Sequence, residues 1–297
     1  MKKTLAMMTA AMMVAGALAG CGSSSSTPAA TTAAATEAAT TAAATEAATT
    51  EAAGDTAAAA EGTVKTPSGK FTVGFDQEFP PMGFVGDDGQ FTGFDLDLAK
   101  EVASRLGLEF VPQPINWDAK DMELDSGNID CIWNGFTMQG REDDYTWVGP
   151  YMANNQVFVV TADSDIASKA DLAGKAVEVQ KDSSGLAALQ GEAELSASFG
   201  SMTEVADYNT ALMDLESGAC DAVCMDSIVA GYQIKSSGKD MKILDDTLSA
   251  EEYGIGFKKG EDELAKAVQD TLMEMKDDGT VAKISNDWFG SDVFTLK

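Results

Sequence analysis

Arg141 closes the stretch Ile129 to Arg141, IDCIWNGFTMQGR, in which a short apolar run gives way to Asn134-Gly135 and then to a loop. A guanidinium offers a planar fork of donors that matches a carboxylate two-for-two. As an isolated observation, a surface arginine after a strand is the commoner outcome. Further on, Asp182-Ser183-Ser184-Gly185 precedes Leu186. Free amides at a helix start, joined by two hydroxyls, make an anion seat; plain serine capping uses the same groups, and the two roles are compatible. Asp226 follows the apolar run Ala222 to Met225, where a carboxylate either holds an ammonium group or caps the next helix. Asp76, at the end of Phe71 to Phe75, is open to the same two readings, ligand contact or turn former. Phe79, Trp117 and Trp133 make an aromatic-lined pocket if they converge and are core residues if they do not.

Positioning these groups requires strands that end where they stand, because open α/β sheets place ligands beyond the carboxyl ends of their strands. Phe71 to Phe75 alternates like a strand, and Leu108 to Pro112 reads as another. Between them Phe94, Leu98, Val102 and Leu106 recur every fourth residue, the apolar stripe of a helix with Asp95 as its expected N-cap and Gly107 as its stop. Strands are also expected at Gln156 to Val160, Lys175 to Gln180 and Glu252 to Phe257, and a helix at Asp262 to Asp277. One pattern occurs twice: MELDSGNID at residues 122–130 and MDLESGACD at residues 213–221. Each copy reads as a helix end, a Ser-Gly stop and a strand, the first running out at Asn134 and the second at Asp226. Two similar α/β units with polar residues at matching strand ends point to two lobes facing one cleft.

The chain has 297 residues, 44% of them hydrophobic, enough for two domains once a tail is set aside. Acidic residues number 48 against 20 basic, a net charge of −28, which opposes nucleic-acid binding because no basic patch exists to neutralise phosphates. The same charge opposes adsorption to an anionic membrane. Lys2 and Lys3 precede the apolar run Leu5 to Leu18, a secretory signal too short to span a bilayer. It ends in Leu18-Ala19-Gly20-Cys21, which resembles the bacterial lipobox, so Cys21 is the expected lipidation site. Residues 22–66, rich in Ser, Ala, Thr and Glu, have almost nothing to bury and are expected to form a disordered tether of roughly 35 Å end to end. Cys220 and Cys224 lie roughly 13 Å apart on an expected strand, beyond disulfide reach, and with Cys131 they read as small core residues. The chain has no histidine, so neither a zinc site nor a serine-histidine nucleophile is expected.

Taken together, FTVGFDQEFPPMGF, GFDLDLAKEVASRLG, WDAKDMELDSGNIDCIWNGFTM, DLAGKAVEVQKDSSGLAAL, GACDAVCMDS and YGIGFKKGEDELAKAV resemble the extracellular solute-binding proteins (family 3 type) of polar amino acid ABC importers, in lipoprotein form. The likeness covers nearly all of residues 68–290. It implies an α/β, two-lobed periplasmic-binding-protein fold of type II, each lobe a mainly parallel sheet flanked by helices, with two crossover strands. The implied organisation is a signal peptide at 1–21, the tether at 22–66, a first lobe at 67–152 and 252–297, and a second lobe at 153–251. By position, Arg141 matches the arginine that binds the ligand α-carboxylate, and Ser183 and Ser184 match the helix-start pair that meets it from the other lobe. Thr137 and Gly135 match positions offering hydroxyl and backbone groups, and Asn134 one offering its main chain. Asp226 matches the acid that holds the α-ammonium. Asp76 and Phe79 match ligand side-chain contacts, Phe79 as the stacking aromatic. The loop Met138-Gln139-Gly140 is one residue shorter than the family spacing, and Trp133 stands where smaller residues are usual.

An anion seat and a cation seat on different lobes suit a zwitterion, which bridges them and favours closure. The resemblance implies a monomer, anchored to the outer face of the membrane or periplasmic, that passes an amino acid to an ABC permease and carries no cofactor. The runner-up is a cyclohexadienyl dehydratase of the same fold, acting on prephenate or arogenate, with Asp76, Glu78 and Asp226 as acid/base groups. The tether and the match to binding residues oppose it.

Overall fold

The computed structural model describes residue 66 and residues 68–297. The expected signal peptide, the lipidation site at Cys21 and all of the tether but Thr66 lie outside the described residues.

The chain opens with strand β1 (Lys70–Phe75), whose apolar residues are buried as their alternation requires. Three short strands follow, β2 (Glu78–Phe79), β3 (Gly83–Val85) and β4 (Phe91–Thr92), forming a small antiparallel sheet of their own. Helix α1 (Phe94–Leu106) buries Phe94, Leu98 and Val102, the expected stripe, and stops at Gly107 in the left-handed region. Its N-cap is Gly93. Asp95 is therefore not the cap; it is the second residue of the first turn and is fully buried.

Strand β5 (Glu109–Pro114), helix α2 (Lys120–Ser126) and strand β6 (Cys131–Thr137) complete the first unit. The long strand β7 (Tyr145–Thr161) leads to β8 (Ala176–Gln180), α3 (Ser184–Gly191), α4 (Ala193–Ser198) and β9 (Ser201–Val205). Then come α5 (Tyr208–Ser217), β10 (Ala222–Asp226) and α6 (Ser227–Ser237). The second long strand, β11 (Met241–Lys258), returns to the first unit, and α7 (Asp262–Asp277) and α8 (Thr280–Phe289) pack there.

The main sheet runs β5-β1-β6-β11-β7-β10-β8-β9. β1 is parallel to β5 and β6, and β8 is parallel to β9 and β10. Only the two long central strands pair antiparallel, with each other and with β6 and β10. Two three-stranded parallel units are thus joined through two shared strands, and residues 152/153 and 251/252, the expected lobe boundaries, fall within them. Both strands are longer than their expected cores. Pro150 sits where the β7–β11 register shifts, so its missing N–H costs no ladder bond.

The repeated pattern has a shared structural role. Gly127 (φ 75°) and Gly218 (φ 78°) end α2 and α5 in matching left-handed caps, a conformation open to glycine at little cost. Leu124 and Leu215 are buried beneath the two helices. The closing aspartates clamp the sheet identically. Asp130 donates its amide to the Thr72 carbonyl (2.8 Å) and accepts the Thr72 amide on Oδ2 (2.6 Å). Asp221 does the same with Ala176 (2.8 and 2.8 Å). Each copy fixes the start of the strand that ends in a candidate site residue.

Candidate functional site

Gly135 and Thr137 from the end of β6 and Arg141 from the loop that follows meet Ser183, Ser184 and Asp226 from the second unit around one cavity, with Phe79, Trp117 and Gln180 completing the wall. The cavity is ≈ 10 Å³, about the room one water needs. Contacts across the gap hold it shut. Thr137 Oγ1 lies 3.1 Å from Ser184 Oγ, and Gln180 Nε2 donates to Asp76 Oδ2 (2.7 Å). Lys181 pairs with Asp118 (2.5 Å), Asn209 donates to Glu78, and the buried Lys120 pairs with Asp182.

The anion side is built from Arg141 and the start of α3. The Met138–Gly140 turn, one residue short, still brings Arg141 to the cavity: its amide donates back to the Met138 carbonyl (3.0 Å). The guanidinium lies 5.1 Å from the Phe136 ring centroid and donates to the carbonyls of Thr137 (3.2 Å) and Asp182 (3.4 Å). Ser183 is the N-cap, its hydroxyl accepting the Leu186 amide (3.1 Å). The amides of Ser184 and Gly185 have no protein acceptor among the described residues and carry the positive end of the α3 dipole.

The cation side is Asp226. It occupies the N-cap position of α6, yet its carboxylate makes no capping bond. Oδ1 instead accepts from Asn154 Nδ2 (2.7 Å) and the Tyr253 hydroxyl (2.7 Å), and Oδ2 from the Tyr208 hydroxyl (3.0 Å). All of these donors are neutral, so burial pushes its pKa up to about 7, the nearby Glu251 carboxylate adding to the rise.

Phe79 is buried against Tyr208, ring centroids 5.8 Å apart, and forms one wall. Trp117 stands edge-on to Phe136 and borders both this cavity and a wider cleft of ≈ 980 Å³. Asp76 borders that wider cleft and not the small cavity; burial raises its pKa to about 6. Asn134 is buried behind it, its Oδ1 accepting the Asp76 amide (3.0 Å).

One expectation needs correction. Trp133 does not reach the cavity: with Cys131, on the earlier part of β6, it is buried in the main core, its ring centroid 6.3 Å from that of Tyr151. Gly135 borders the cavity, and its amide is donated to Asp95 Oδ2 (2.7 Å). That bond, with one from the Tyr151 hydroxyl (2.8 Å), is what Asp95 does inside α1, and burial raises its pKa to about 7. Gly135 holds φ +58°, and a Cβ there would lie 2.9 Å from Phe79.

Sequence reasoning missed Gln180, Asn154, Gln156, Glu251 and Lys120. Gln156 had a signal, a polar residue opening an otherwise apolar expected strand, whereas Asn154 lay outside it. Gln180 had another, its place at the end of β8.

Known proteins place the chain in a group. L-cystine-binding protein TcyJ of Escherichia coli (strain K12) is 32% identical over 231 residues, covering 76% of this chain and 84% of that protein. L-cystine-binding protein TcyA of Bacillus subtilis (strain 168) is also 32% identical, over 76% of this chain and 83% of that one. Among solved structures, an ABC uptake transporter substrate-binding protein from Streptococcus pneumoniae with bound histidine superposes with a TM-score of 0.74 at 34% identity, covering 77% of this chain and 95% of that one. The architecture is the two-lobed type II periplasmic-binding-protein fold. The family model of the bacterial extracellular solute-binding proteins, family 3, matches residues 71–291, and the chain belongs to that family.

Proposed function

We propose that this protein binds one amino acid between its two α/β units and delivers it to the permease of an ABC importer. The carrying observation is that Arg141 and Asp226, contributed from opposite sides, border a single cavity together with Thr137, Ser183 and Ser184. In this reading the ligand carboxylate lies on the Arg141 guanidinium, the Ser184 and Gly185 amides and the Thr137 hydroxyl. The ammonium lies on Asp226. The side chain passes between Phe79 and Trp117 toward Asp76 and the wider cleft. Charge-assisted bonds in so dry a site are the strong kind.

The cavity as it stands is too small for any amino acid, so entry requires the units to part about β7 and β11, and the bound ligand draws them together again. Relatives named for cystine, histidine and arginine support the ligand class. They are binding proteins and not enzymes, and the dehydratase alternative is not favoured. The leader and the Leu18-to-Cys21 motif support anchoring through Cys21 outside the cytoplasmic membrane. Among the described residues no helix is long and apolar enough to cross a membrane. Calorimetry against the twenty amino acids and cystine tests the reading: one or a few should bind at a single site with Kd of about a micromolar, roughly −8 kcal/mol. Heat from none of them would overturn it.

A further inference from the structure

Glu251 of β11 stands beside Asp226 of β10, on a register that pairs Glu251 with Asn154 of β7. Its carboxylate is buried, and Oε1 accepts from Asn154 Nδ2 (2.7 Å), Gln156 Nε2 (2.9 Å) and the Ser184 hydroxyl (3.4 Å). The same Asn154 nitrogen also donates to Asp226 Oδ1 at 2.7 Å, so one amide joins the two carboxylates. Among the described residues no lysine or arginine pairs with either. The other titratable groups facing them are Tyr208 of α5, Tyr253 of β11 and Cys224 of β10, all neutral in the physiological range because burial raises their pKa values. Arg141 borders the same cavity but donates to backbone carbonyls.

Two carboxylates this close, buried and without a cation, cannot both stay ionised at modest cost. We propose that Asp226 and Glu251 form one seat that keeps a proton in the ligand-free protein and exchanges it for the ligand's ammonium group. The inference rests on the amino-acid reading above. In the exchange the carboxyl O–H bond breaks and its proton passes to solvent. The ammonium keeps its three hydrogens and donates to the carboxylate left behind; no bond in the ligand changes. Glu251 is thereby a positioning residue: it sets the protonation of Asp226 and orients the Asn154 and Gln156 amides and the Ser184 hydroxyl, linking the cation side to the anion side.

Two arms test this. Without ligand, the infrared spectrum at pH 7 should contain a protonated-carboxyl band that Asp226→Asn and Glu251→Gln each diminish. A spectrum the two substitutions leave unchanged would overturn the proposal even if the protein bound no amino acid at all. With whichever of the twenty amino acids or cystine binds, calorimetry in buffers of different ionisation enthalpy should show roughly one proton released per ligand near pH 6, falling toward none at pH 8.5. Glu251→Gln should move that release profile to lower pH. Buffer-independent heat at pH 6 in the wild-type protein, or the same profile in Glu251→Gln, would also overturn it. Absence of binding by every probe would sink the functional reading alone and leave the infrared arm to decide this one.

Discussion

Asp226→Asn separates the two roles of that carboxylate. Asparagine keeps the shape, and its amide can satisfy the same neighbours: the carbonyl oxygen accepts from Asn154 and Tyr253, and the new NH₂ donates to the Tyr208 hydroxyl, which turns to accept. The lost charge is the one the ligand's ammonium needs. Removing one partner of a buried ion pair costs roughly 3–5 kcal/mol, two to nearly four orders of magnitude in Kd. Stability should move the other way. The pKa of Asp226 rises from 3.8 to about 7 on folding, so between those values the native state holds more protons than the unfolded chain, and stability falls as pH rises through the window. Above pH 7 the buried charge costs on the order of 4 kcal/mol, which asparagine avoids. Calorimetry and thermal melts of the ligand-free protein at pH 5 and pH 8 read both effects. The variant should melt higher than wild type at pH 8, with the difference shrinking toward pH 5, while binding all but disappears. Binding within about threefold of wild type, or a lower melting temperature at pH 8, would refute the reasoning.

Other substitutions follow from the same geometry. Arg141→Ala removes the charged donors of the carboxylate seat and should weaken binding by roughly 10- to 150-fold, from about 1.5–3 kcal/mol for bonds to a charged group, with little change in thermal stability. Gly135→Ala places a Cβ 2.9 Å from Phe79 Cε1 at φ +58° and should cost about 1–3 kcal/mol, seen as a lower denaturation midpoint with an unchanged m-value. Lys120→Met keeps the buried volume but deletes the link to Asp182 across the gap. Folding stability should change little, while ligand release measured by stopped flow should speed up about fivefold, the equivalent of roughly 1 kcal/mol.

Much of this site was legible before the structure because it is made of residues that contradict their surroundings. Arg141 is a charge just past a strand and its loop, Asp226 a charge at the end of an apolar run, and Ser183-Ser184 open a helix. The doubled pattern at 122–130 and 213–221 announced two units, and its matching glycine caps and aspartate clamps give the repetition a physical basis. What stayed hidden depends on long-range pairing. Asn154 meets Glu251 only because β7 and β11 run antiparallel, and nothing local to either residue records that register. Asp95 looks like a cap because it opens a helix; only packing against Gly135 and Tyr151 makes it an acceptor in the core. Trp133 was not readable from alternation, since Gly135 and Thr137 share its parity on β6 and border the cavity; its place earlier in the strand is what puts it in the core.

The central claim is that one zwitterion is held by opposite charges from the two units, and a structure of the complex with the tightest-binding amino acid tests it most directly. The ligand carboxylate should lie within hydrogen-bond distance of Arg141 and the Ser184 and Gly185 amides, with the ammonium on Asp226. A ligand bound elsewhere, or one lying reversed with its ammonium toward Arg141, would contradict the account.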